Sequence, residues 1–157
     1  MSPRFRLDFF NDGSQYRIRD KNRIRQVVKW LVLREGFRGA DISVVIVSDD
    51  FLYDYNMKYL KHDTLTDVIT FDFTEVNSKI ARGEIYISID RVGENAREFG
   101  VKKDKELRRV IFHGVLHLCG YKDKTKVQKL SMTEKEDECL KKFDSLKTKI
   151  KVSRGTI

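Results

Sequence analysis

His113, His117 and Asp123 fall within one short stretch, FHGVLHLCGYKD, and their types and spacing are those of a three-ligand metal site. Two histidines four residues apart share one face of a helix, because four residues is slightly more than one turn. Gly120 stands where helices commonly stop in a left-handed cap. A chain reversed there brings Asp123 back toward the two imidazoles. Two nitrogens and one oxygen fill three corners of a tetrahedron and leave the fourth for water or substrate, as in a catalytic zinc site. Only three histidines occur in 157 residues, so the spacing points to a metal rather than to two structural histidines. One zinc ion per chain is the expected cofactor, with another divalent transition metal as the variant.

The same stretch follows the metzincin pattern H-E-x-x-H-x-x-G-x-x-H at both histidines, at the glycine and at the position of the last ligand. It departs at Gly114, where the pattern has glutamate, and at Asp123, where it has a third histidine. Carboxylate is an ordinary zinc ligand, so the second change keeps the site. The first removes the general base that a zinc peptidase uses. Two histidines with one carboxylate is also the donor set of non-haem iron oxygenases. The residues alone therefore leave open a zincin-like metallopeptidase, an iron oxygenase, and a non-catalytic protein whose metal only holds the fold.

Such ligands need a folded scaffold, and the composition supplies one. A chain of 157 residues with 40% hydrophobic content suits a single domain over residues 1–157, with a core that needs no disulfide staples. No apolar run is long enough for a membrane span or a secretory signal, so the cytoplasm is the expected location. Cys119 and Cys139 fit reduced, structural thiols there. The net charge of +8 is unevenly placed: residues 1–40 and 101–130 each carry a basic surplus of six, and residues 41–75 an acidic surplus of six. The metal motif thus lies in a basic segment. That field suits a polyanion such as nucleic acid, and it suits a solvated lysine-rich surface equally well.

Periodicity gives the positioning elements. Residues 4–10 suit a strand. Asp20 is placed to cap a helix with Ile24, Val27, Val28, Leu31 and Val32 on one face, ending at Gly36. Ile42–Val47 is a dense β-branched run, hence a buried strand. Ser48 caps a short helix reaching about Tyr59, and Thr66–Phe73 and Gly83–Ile89 alternate as strands. Helices follow at about 90–99, 104–118 and 132–146, with a frayed basic tail from about 147. The expected fold is α+β (α/β-type mixed): a small mixed four-stranded sheet packed with about five helices around the central HxxxH helix. Asp67, beside a β-branched run, suits a buried acceptor or a partner for a ligand histidine.

Three segments together carry a resemblance. HGVLHLCGY at 113–121, Asn56–Tyr59 followed by Asp63–Phe71, and Gly83-Glu84-Ile85 leading to Ser88 resemble, in order, the motifs of the YbeY endoribonucleases, bacterial ribosomal RNA maturation factors. The resemblance spans about residues 40–140. It implies a zinc-dependent, single-strand-specific endoribonuclease acting in 16S ribosomal RNA 3′-end maturation and ribosome quality control. It also implies ribosomal RNA and the small ribosomal subunit as partners, and His113, His117 and Asp123 as metal ligands. The chain departs from the family's usual pattern in three places. Asp123 stands where the third ligand is usually histidine, Leu60 where most members carry an arginine linked to catalysis, and Leu65 where most carry proline. Lys58 and Lys61 are the nearby cations that could contact RNA in that arginine's place, and His62 lies beside them.

Overall fold

Val44, Ile46, Ile85 and Ile87 have no solvent exposure at all. They lie on two adjacent strands whose β-branched runs form the middle of the sheet. The computed structural model describes residues 4–60 and 66–155. Its strands are β1 (Phe5–Asn11), β2 (Gly39–Val47), β3 (Val68–Asp72) and β4 (Ile80–Ser88). They are ordered β1-β2-β4-β3. β1 and β4 both run parallel to β2, and β3 runs antiparallel to β4. The helices are α1 (Lys21–Arg34), α2 (Asp49–Tyr55), α3 (Ile89–Phe99), α4 (Lys103–Leu118) and α5 (Lys126–Gly155), with a π-helical turn at Asn56–Leu60. This is the mixed α+β architecture expected from the sequence.

One face of the sheet carries the main core. Side chains of α1, α3, α4 and α5 pack there around Ile111, Phe112, Val115 and Leu116 of α4, all with zero exposure. The other face carries only a small cluster of Val47, Leu52 and Ile69 beneath α2. The helix with the two histidines is thus the most enclosed one, which gives its side chains a rigid base.

Several boundaries differ from the sequence reading for physical reasons. Asp20 does not cap α1: it takes φ 60 and makes no cap hydrogen bond, and its carboxylate pairs instead with Arg23 at 3.0 Å. The helix opened by Ser48, whose hydroxyl accepts from the Phe51 amide, widens after Tyr55 and finishes as the π-helical turn rather than running on to Tyr59 as one α-helix. The last helix starts at Lys126, not near 132. Thr125 and Gln128 exchange side chain-to-backbone hydrogen bonds of 3.1 and 3.0 Å, a reciprocal cap that fixes the start. The helix continues through Gly155, where a frayed tail from about 147 was expected.

Two glycines set how closely α4 approaches the sheet. A Cβ on Gly114 would lie 2.8 Å from two carbons of Ile85, and one on Gly83 would collide with the Phe71 carbonyl and with Leu118. Overpacking of this kind costs about 1–3 kcal/mol. Gly83→Ala and Gly114→Ala are each expected to destabilise by about that amount. The loss should be larger at Gly83, where the obstruction is backbone; urea unfolding of the two variants checks both size and order.

Candidate metal centre

α4 ends in the way its sequence dictates. Gly120 takes φ 102, its amide bonds the His117 carbonyl at 3.0 Å, and the Tyr121 amide bonds the Leu116 carbonyl at 3.0 Å. This paired closure turns the chain sharply back past the helix end. The reversal carries Asp123 to the histidines. Asp123 Oδ2 lies 3.2 Å from His113 Nε2 and 3.4 Å from His117 Nε2, and the two Nε2 atoms are 3.0 Å apart. Zinc bonds of about 2.0–2.1 Å at tetrahedral angles place ligand atoms about 3.3 Å from one another. The observed triangle has that size.

The hydrogen bonds on the far side of each ring decide what the Nε2 atoms offer. His117 Nδ1 is 2.9 Å from the Tyr121 carbonyl, which can only accept, so Nδ1 carries the proton and Nε2 a lone pair. His113 Nδ1 lies 2.6 Å from Glu136 Oε2, with the same result. With both rings neutral, two lone pairs and a carboxylate oxygen therefore converge. Such a cluster suits a cation, and among the described residues His113, His117 and Asp123 form a group that could hold one.

Glu136 escaped the sequence reading. It projects from α5, is 6% exposed, and is held by Arg109 Nη1 at 2.9 Å while it orients His113. Arg109 in turn reaches Asp137 at 2.7 Å. A carboxylate behind a ligand histidine fixes the ring and raises its basicity. Burial lowers the affinity of His113 for a proton, but the hydrogen bond and charge of Glu136, then Asp123 and Asp67, outweigh it and leave a net upward shift. Asp67 suited, from its sequence setting, either a buried acceptor or a partner for a ligand histidine. It is an acceptor: its carboxylate accepts from Asn95 at 3.4 Å, and burial pushes its own protonation upward.

The ligands stand at one side of a cleft of about 450 Å³ whose opposite wall is β3 with the residues before it. Period-two alternation puts Val68, Thr70 and Asp72 toward the cleft, and Thr66 and Asp67 line it as well. No lysine or arginine is among these lining residues. Lys58 is exposed in the π-helical turn and does not line the cleft, and Leu60 ends that turn. Lys61, His62 and Leu65 lie outside the described residues. Cys119, beside the ligand pair in sequence, stands apart from it chemically. Burial first, then Glu35 and Cys139, push its thiol up to about 12, and Cys139 is likewise pushed to about 12 by burial first and then Glu138.

Fold and site together define a class: a mixed-sheet α+β domain whose central helix presents a His-x-x-x-His pair, closed by a carboxylate into a group able to hold one metal ion. Comparison with known proteins narrows that class. Residues 9–144 match the family model described as Endoribonuclease YbeY. A protein of that name from Flavobacterium psychrophilum is 46% identical over 134 residues, covering 85% of this chain and 94% of its own length. Another from Cytophaga hutchinsonii is 44% identical over 133 residues, covering 84% and 92%. The solution structure of a Thermotoga maritima protein is similar with a TM-score of 0.62 and 28% identity over 88% of this chain and 89% of that one. The chain belongs to the YbeY endoribonuclease family.

Two outcomes follow from the geometry. Glu136→Gln keeps the size of the side chain and removes its charge, so zinc affinity should fall about 10–100-fold with the fold retained. Competition with a chromophoric chelator, alongside circular dichroism, reads this out; unchanged affinity would show that Glu136 does not support the ligand. Both thiols should resist iodoacetamide at pH 8 in the folded protein and react promptly in urea, because the thiolate is the reactive form.

Proposed function

We propose that this chain is a zinc-dependent, single-strand-specific endoribonuclease that acts in the cytoplasm on ribosomal RNA. Its place would be 3′-end maturation of 16S ribosomal RNA and ribosome quality control, in contact with the small subunit. Membership of the family supports the reaction class. The observation that carries the reading is the convergence of His113 Nε2, His117 Nε2 and Asp123 Oδ2 beside a cleft open to a substrate.

Zinc bound there would supply Lewis acidity toward a phosphoryl oxygen and would lower the pKa of a water in the open position from about 15.7 toward roughly 7. The chain's own residues prepare for this. Glu136 and the Tyr121 carbonyl keep protons on both Nδ1 atoms, so the Nε2 lone pairs stay available. Asp123 adds a negative charge at the ligands, and Asp72 adds a carboxylate to the cleft wall. A phosphodiester is repelled by such walls, so its approach depends on a cation at the ligands. Metal dependence of RNA binding follows from that electrostatic argument, separately from the chemistry of cleavage.

A peptidase is disfavoured by packing as well as by composition. Position 114 faces Ile85 on the sheet, so a glutamate base there would have to displace the helix that carries the ligands. The decisive experiment compares wild type with His113→Ala and Asp123→Ala after matched purification. Zinc content would be measured together with cleavage of a 5′-labelled unstructured RNA and of a duplex. Wild type should cut the single strand only and lose activity on chelation, and both variants should fall to background. Equal digestion by all three would end the nuclease reading. Metal and fold lost without any nuclease activity in wild type would leave a structural metal protein. The product ends report the attacking group, a 2′,3′-cyclic phosphate arising only from the RNA's own 2′-hydroxyl.

A further inference from the structure

Residues 17–29 carry six basic side chains and one acidic one, and α1 itself contains no carboxylate. Folding sets part of this charge in a line. Lys21, Arg25 and Lys29 follow one another at intervals of four, so they share one side of the helix with about 6 Å of rise between neighbours. That side lies over β1, an outer strand of the sheet. Lys21 and Arg25 sit above the Phe9 ring at 5.9 and 5.1 Å, and Lys29 above the Phe5 ring at 5.0 Å. The rings hold the cationic heads in place without neutralising them. Arg25 is fixed further by uncharged acceptors: its Nε donates to the Leu7 carbonyl and its Nη1 to Asn22 Oδ1, both at 2.8 Å.

The neighbouring carboxylates are engaged elsewhere, Asp20 with Arg23 at 3.0 Å and Asp8 with Arg6 at 2.9 Å. Among the described residues no carboxylate lies within ion-pair distance of Arg17, Lys21, Arg25 or Lys29. Arg17, exposed, continues the line past the start of α1. It and Lys21 both line two adjoining clefts there, of about 320 and 860 Å³. The cleft beside the metal ligands differs: among the described residues no lysine or arginine lines it. An RNA strand held only in that cleft would find none of the cations that neutralise its backbone. β1 and β3 are opposite edges of the sheet, so the basic line and the metal cleft are separate surfaces.

We infer that Arg17, Lys21, Arg25 and Lys29 form a second RNA contact, which binds the phosphates of a strand running along the β1 edge, away from the metal ligands. The rise from one helix cation to the next is comparable to the separation of successive phosphates on a nucleic-acid strand. Phosphate contacts position a nucleic acid without reading its sequence, which suits a line of charges. An acidic protein segment fits less well, because a protein interface needs an apolar centre. The rings beneath this line are already covered by its own cations, and the one large apolar side chain on it, Leu33 at 49% exposed, stands at the far end. The choice of RNA as the polyanion rests on the nuclease reading, whereas the line itself involves none of the metal ligands.

The test measures binding of a labelled 24-nucleotide uridine strand to the full-length protein by fluorescence anisotropy, with zinc and again with EDTA. The strand carries 2′-O-methyl groups, so its own sugars cannot attack. Three exposed residues are changed together, Arg17→Gln, Lys21→Gln and Lys29→Gln, leaving Arg25 and its bond to β1 in place. Affinity should fall at least about tenfold at 50 mM salt, and the slope of log affinity against log salt should become shallower by about 2, at about 0.7 per phosphate contact. Metal dependence belongs to the cleft, so the loss should be the same with zinc and with EDTA. Lys21→Arg with Lys29→Arg keeps the charge and should bind as wild type does. Lys79→Gln, Arg97→Gln and Lys105→Gln remove the same charge elsewhere on the surface and should keep affinity within about twofold, with circular dichroism confirming each fold. No binding by wild type, unchanged affinity in the first variant, an equal loss in the scattered one, a loss confined to zinc, or equally tight binding of polyglutamate of the same length would overturn the inference. Absence of cleavage by wild type would sink the nuclease reading and leave this binding comparison standing, so the two failures are told apart.

Discussion

Three electron pairs aimed at one point repel one another until a positive charge stands between them, and the rest of this protein is arranged to keep them aimed. His113 Nε2, His117 Nε2 and Asp123 Oδ2 cannot relax apart easily. Each imidazole is held from behind, one by a buried carboxylate and one by a carbonyl fixed in the helix cap. The loop bearing the third ligand is set by the same cap, because the hydrogen bonds that close α4 also determine where the chain goes next. Preorganisation of this kind places the unfavourable part of binding in the fold rather than in the moment of capture.

The sheet explains why so small a domain can hold such a site. Gly83 and Gly114 let α4 settle directly onto β4, and His113 and His117 each immediately precede a residue of that contact, Gly114 and Leu118. β3, antiparallel and at the sheet edge, then forms the facing wall. Strand alternation sorts its residues into a polar series toward the ligands and an aromatic series away from them. One five-residue strand thereby separates two chemically different surfaces.

How much of this was legible in the chain follows sequence distance. The ligand triple was readable because helix spacing and a glycine cap are local properties, confined to eleven residues. The strands and most helices were readable from β-branched runs and apolar spacing. Glu136 was not, because its partner lies 23 residues away and only the packing of α5 on α4 brings them together. Asp67 was readable as an acceptor or a histidine partner, and only tertiary contact assigned it to Asn95. The start of α5 did carry a signal, the Thr125–Gln128 pair, which charged neighbours obscured. The aromatic surface on the other side of β3 draws on residues 51–55, 69–73 and 84–86, so it exists only once the register of β3 on β4 is known.

The position of Glu136 on the last helix has a consequence for how the protein is made. A ribosome emits the chain from its N-terminus, so all three residues of the group emerge before Glu136, which orients His113. During that interval the His113 ring lacks its carboxylate partner, whereas the Tyr121 carbonyl that holds His117 has already emerged. The arrangement around His113 is complete only when α5 docks on α4.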